Sequence, residues 1–184
     1  MIDAVLHAFL RQQLEEGLAL AAESDLVSIA PLAPPTGGPA DRFVVRFTCR
    51  GLVRASDGSI VEGHEFAVGI WFPDDYLRTA VPFQVVTWLH PRNIWHPNVS
   101  AVAPIICVGH LVAGTSLVDL VYQCWEVITW RKVTMREDDA LNRDACQWAR
   151  ANLARLPVDT RPLKRHALAL RTTDISPGAS HASS

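Results

Sequence analysis

The chain has 184 residues, 49% hydrophobic and 20% charged, with a formal net charge of −2. That length and balance describe one ordinary globular domain with its own core, and the missing basic excess argues against nucleic-acid binding by phosphate neutralisation. No apolar stretch approaches the roughly 18 residues of a membrane span. The N-terminus lacks a basic region and is interrupted by Arg11, Glu15 and Glu16, so it does not read as a signal peptide. Four cysteines at positions 49, 107, 124 and 146 form no CxxC pair, which fits a cytoplasmic protein with free thiols.

Residues 2–23 are predicted as an amphipathic helix, with Ile2, Val5, Leu6, Phe9, Leu10 and Leu14 on its apolar face. Residues 26–32 suit a short first strand, and the Pro- and Gly-rich run 34–39 is a loop. Phe43, Val45, Phe47 and Cys49 alternate with polar or outward positions, Asp57-Gly58 is a hairpin signal, and Phe66, Val68, Ile70 and Phe72 alternate on the return. Residues 82–89 read as a further strand. Regular patterning then stops from His90 to Gly114, a stretch long enough to suggest function.

Helical spacing resumes at Leu117, Leu120, Val121, Cys124, Trp125 and Ile128, with Ser116 or Thr115 as the cap. A last helix is predicted over 139–156, with Ala145, Trp148, Ala149 and Leu153 inward and Pro157 as its stop. The expected organisation is a domain over 1–157 and a C-terminal extension over 158–184, disordered from about 172. The fold class is α+β: a helix, a four-stranded antiparallel meander, a long loop, then helices.

The long loop carries Ile94-Trp95-His96-Pro97-Asn98, with Ile106-Cys107 eight and nine residues after Asn98. This resembles the active-site segment of ubiquitin-conjugating enzymes. Phe66–Tyr76 (FAVGIWFPDDY) resembles that family's third strand and its Phe-Pro-x-x-Tyr turn. Asp138-Asp139-Ala140-Leu141-Asn142 resembles its Asp-Asp-Pro-Leu-Asn segment, with Asp139 32 residues after Cys107. The resemblance covers roughly residues 2–155.

It implies the ubiquitin-conjugating-enzyme fold, with Cys107 as the nucleophile that carries a protein C-terminus as a thioester. Asn98 is then the oxyanion donor or the residue that orders the loop. His96 is a loop-shaping residue or a base, and Asp139, with Asp138 as alternative, a carboxylate that orients the attacking lysine. Gly109 stands where the family often has an acid, and the following His110 becomes a candidate base or substrate contact. Lys132–Arg136 replaces the family's Asp-Pro-Asn element and Ala140 its proline, as in divergent bacterial members. Those act beside ubiquitin-like conjugation or cyclic-oligonucleotide antiphage genes.

The implied partners are an adenylating activating enzyme docked on the first helix near Arg11, Gln12 and Glu15, and a ubiquitin-like protein or the C-terminus of a cGAS-like nucleotidyltransferase. The acceptor is a target lysine. No metal, organic cofactor, nucleic acid or membrane is implied.

Other readings stand beside this one. Asp138 and Asp139 can simply cap the last helix. Cys107 with His110 lacks the second ligand pair of a zinc site. A cysteine hydrolase would use His96, His90 or His110 as base, and an inactive fold relative would bind its partner without a covalent bond. Cys49, Cys124 and Cys146 are expected in the core, as are Trp88, Trp95, Trp125, Trp130 and Trp148 in core or loop packing.

Overall fold

The computed structural model describes residues 4–32, 34 and 37–165. Helix α1 (Ala4–Ala22) buries Leu6, Leu10, Gln13, Gly17 and Leu20, alternating steps of four and three residues that keep one stripe on one side. Val5, expected on that stripe, is 68% exposed, because it sits about 100° round the helix from Leu6. Ile2 lies outside the described residues. Glycine at 17 permits a close approach, since a Cβ there would come within 2.6 Å of Leu117. One turn earlier, the buried Gln13 carboxamide oxygen accepts from the Leu117 amide at 2.6 Å, satisfying a first-turn donor of α3 (Leu117–Ile128).

Strands β1 (Val27–Leu32), β2 (Arg42–Arg54), β3 (Ile60–Trp71) and β4 (Val86–His90) form one antiparallel sheet in chain order. In the β1–β2–β3 register Val45 stands between Ile29 and Val68. Phe43, Val45, Phe47 and Cys49 of β2 and Phe66, Val68 and Ile70 of β3 all point inward and are sealed from solvent, as the period of two demands. Helix α3 covers this face, with Trp125 against Phe47 at a ring separation of 6.1 Å. Phe72 packs edge-on to Phe9 of α1 and against Tyr76, whose hydroxyl donates to the Thr115 carbonyl at 2.8 Å.

The strand expected over 82–89 is instead a single helical turn, α2 (Pro82–Val85), followed by β4. Pro82 is suited to a first helical turn, where its missing N–H costs nothing, and the adjacent burial of Val85 and Val86 breaks strict alternation. Ser116 caps α3, its hydroxyl accepting from the Asp119 amide at 3.0 Å. The last helix, α4 (Arg143–Ala151), is shorter than the 139–156 expected. Asn142 caps it by accepting from the Ala145 amide at 3.1 Å, so Glu137–Asp139 is left as a separate 3-10 turn. Asn152 leaves helical geometry and Leu153–Arg155 is another 3-10 turn. Leu153, expected inward, is therefore 63% exposed. Ala145 and Ala149 do point inward, into a second small core with Leu52, Trp95 and Trp130.

The described part of the segment beyond Pro157 is fastened to the domain. The buried Asp159 carboxylate accepts from the Arg161 guanidinium at 2.6 Å and from the Arg50 amide at 3.3 Å. The Arg161 partner holds its pKa down at about 2. Arg131 donates to the carbonyls of Asp159 and Arg161. Leu163 enters the main core at 2% exposure, and Arg165 donates to the Ala22 carbonyl at the end of α1. The disorder expected over 172–184 falls outside the described residues. No helix among the described residues is long and apolar enough to cross a membrane.

If this strap belongs to the folding unit, Leu163→Ala lowers stability by about 2–5 kcal/mol, read as a reduced urea midpoint. An unchanged midpoint would mean the strap is an appendage.

Candidate active site

The loop that follows β4 has no helix or strand, yet it is tied down along its length. Ile94 forms a bridge to Val53, Val99 to Ile106 and Thr87 to Ile105, and the Trp88 amide donates to the Pro104 carbonyl at 3.0 Å. From 105 to 109 the chain alternates: Ile106 and Val108 are sealed, while Ile105, Cys107 and Gly109 are partly exposed. The two apolar side chains anchor the segment, and the period of two turns Cys107 to the other face.

Asn98 fixes this segment from both sides of Cys107. Its backbone carbonyl accepts from the Cys107 amide at 2.7 Å, and its side-chain amide donates to the Cys107 carbonyl at 3.3 Å. Its side-chain oxygen accepts from the Thr134 amide at 2.8 Å. With 4% exposure, the Asn98 side chain orders the loop through its oxygen and one of its amide N–H groups. His96 does similar work. Its Nδ1 accepts from the Asn98 amide at 3.0 Å, which puts the proton of the neutral ring on Nε2. The ring is sealed, lies 4.3 Å from the Trp130 ring, and burial drives its pKa down to about 3. A neutral, sealed imidazole with its acceptor nitrogen engaged holds the backbone of the loop.

Two contributors were invisible in the sequence. The Lys132 ammonium donates to the Val108 carbonyl at 2.6 Å. Gly109 has φ +101°, and a Cβ there would lie 2.7 Å from the Lys132 Nζ. The one hint was the glycine itself, at a position where the family often has an acid. Thr134 was equally silent, since its contribution is a backbone amide. Both are presented by the turn after α3, where Trp130 adopts φ +61° and the Arg131 and Lys132 amides both donate to the Glu126 carbonyl.

The remaining candidates stand apart from this network. Asp138 and Asp139 are exposed on their 3-10 turn, and Asp139 faces Arg136 at 3.4 Å. Neither caps α4, a role taken by Asn142, whose own amide reaches the Pro97 carbonyl. His110 is exposed and makes no hydrogen bond or ion pair among the described residues. Among the described residues no imidazole is hydrogen-bonded to the Cys107 sulfur, the contact that a cysteine–histidine pair would need. Among the described residues, no three His, Cys, Asp or Glu side chains come together to hold a metal ion.

Of the four cysteines, Cys107 alone is not buried. Burial pushes the thiols of Cys49 and Cys124 up to about 12. Cys146 is also raised by burial and donates weakly to the Thr134 carbonyl. The sheet and helices thus leave one cysteine that is not buried, on a braced, extended segment. No family model matches the chain, and no curated protein matches it significantly.

The buried His96 makes acid stability a test of this arrangement. Its folded pKa, about 3, lies below the ordinary 6.5, so between those values the unfolded state binds the extra proton. Stability is complete above pH 6.5 and falls as pH drops toward 3, at up to about 1.4 kcal/mol per unit. Urea midpoints across this range should show that slope in the parent protein and a shallower one in His96→Asn. Parallel slopes would place the imidazole in solvent.

Proposed function

We propose that this chain has the ubiquitin-conjugating-enzyme fold and works as a transferase that carries a protein C-terminus as a thioester on Cys107. The cargo is a ubiquitin-like protein, or the C-terminus of a cGAS-like nucleotidyltransferase, and the acceptor is a target lysine, in bacterial antiviral defence. One observation carries the reading. The one cysteine that is not buried stands on a segment whose backbone is gripped on both sides by the asparagine of His96-Pro97-Asn98.

The chemistry follows from that placement. The Cys107 thiolate attacks the carbonyl carbon of an acyl group held as a thioester on the activating enzyme. A new C–S bond forms, the old one breaks, and the enzyme's thiolate leaves. ATP is consumed earlier, by the activating enzyme. A neutral lysine amine then attacks the Cys107 thioester. The tetrahedral centre collapses to an amide, the Cys107 thiolate departs, and the amine proton passes to water or a carboxylate.

Asn98 acts by holding the loop at the angle that offers the sulfur, since its amide is engaged by the Cys107 carbonyl. Asp139, with Asp138 beside it, supplies exposed negative charge to attract and orient the lysine. His110, exposed two residues beyond the sealed Val108, contacts the incoming tail. The exposed residues Arg11, Gln12 and Glu15 of α1 offer the activating enzyme a polar surface.

Incubation with ATP, an adenylating activating enzyme and a ubiquitin-like modifier should give an adduct on a non-reducing gel that thiol removes. Cys107→Ser should leave a thiol-resistant ester and Cys107→Ala none. Modifier binding at full affinity with no adduct would instead make the protein a non-covalent binding module. Asp139→Ala should charge normally yet discharge to free lysine about tenfold more slowly. Equal discharge rates would remove Asp139 from the mechanism.

A further inference from the structure

A separate, open surface pocket of about 440 Å³ lies between the β2–β3 hairpin and α4, lined by Arg54, Gly58, Ser59, Ile60, Trp95, Trp148 and Arg155. It contains none of the polar residues around Cys107. Its two cations are held in place by aromatic rings. The Arg54 guanidinium lies over Trp95 at 5.5 Å, and that of Arg155 over Trp148 at 5.3 Å. Such stacking steadies a guanidinium without neutralising it.

Neighbouring arginines are paired. Arg50 meets Glu62 at 2.6 Å and Arg150 meets Glu137 at 3.0 Å. Arg54 and Arg155 meet no carboxylate among the described residues, and Arg155 has only the Asn152 side-chain oxygen at 3.3 Å. The nearby Asp57 carboxylate is engaged by the amide and hydroxyl of Ser59. One wall also holds a buried, unused donor, the Trp95 indole N–H.

Two unneutralised guanidiniums suit a phosphate, which accepts from their planar forks. The volume is far larger than a phosphate requires, and the indole-backed guanidinium planes with Ile60 beside them offer a flat group a surface to lie on. We propose that this pocket binds a nucleoside phosphate, its phosphates on Arg54 and Arg155 and its base against the tryptophan-backed walls.

Calorimetric titration of the full chain with ADP, inorganic pyrophosphate and adenosine tests this. ADP should bind with a dissociation constant below about 1 mM. Pyrophosphate and adenosine should each bind at least about fivefold more weakly, because each lacks half of the recognised chemistry. Arg54→Gln and Arg155→Gln, both at exposed side chains and checked for an unchanged melting temperature, should each weaken ADP about tenfold. Absence of ADP binding, pyrophosphate or adenosine binding equal to ADP, or full ADP affinity in either variant would overturn the proposal.

Discussion

The site depends on one buried side chain. Asn98 holds the Cys107 carbonyl through its amide and the Thr134 amide through its oxygen, while its own backbone holds the Cys107 amide. An irregular loop has no repeating ladder to fix it, so its geometry is only as good as the groups that take up its backbone donors and acceptors. Here three polar groups converge at a sealed position, where leaving any one unmade costs about 1–3 kcal/mol. The 98–107 segment and the 132–134 turn are thereby locked to one another, and the thiol between them inherits that rigidity.

The rest of the fold supports this lock from below. Ile106 and Val108 reach into the core shared by the sheet and α3, and His96 rests on Trp130 at the end of α3. The second core, with Trp95, Trp130, Ala145 and Ala149, ties the loop's entrance to α4. Because α4 starts at an asparagine cap whose amide also reaches Pro97, the exposed acidic turn before it is registered against the loop without touching it. The strap through Leu163 closes the opposite end, joining the termini of α1 and α3.

Much of this was legible in the residues. Alternation in β2 and β3 and the 3.6 period of α3 marked their buried faces correctly, since each face meets a core of matching period. The loop from 90 to 114 was visible as the loss of any period. Other features were not legible for stated reasons. Val81-Pro82 begins a helical turn that strand-like composition concealed. Asn142 ended the reach of the last helix toward Asp139 by capping it with its own side chain, and Asn152 left helical geometry before Leu153 could turn inward. Gln13 reads as a surface residue until α3 is docked upon it. Lys132 and Thr134 lie at least 24 residues from their partners in the loop, and no local pattern encodes such contacts.

Folding leaves one cysteine partly exposed and buries three. Brief treatment of the native protein with iodoacetamide, followed by unfolding, a second label and peptide mass analysis, measures it directly. The first label should fall on Cys107, while Cys49, Cys124 and Cys146 take the second. A Cys107 protected as well as Cys124 would contradict it.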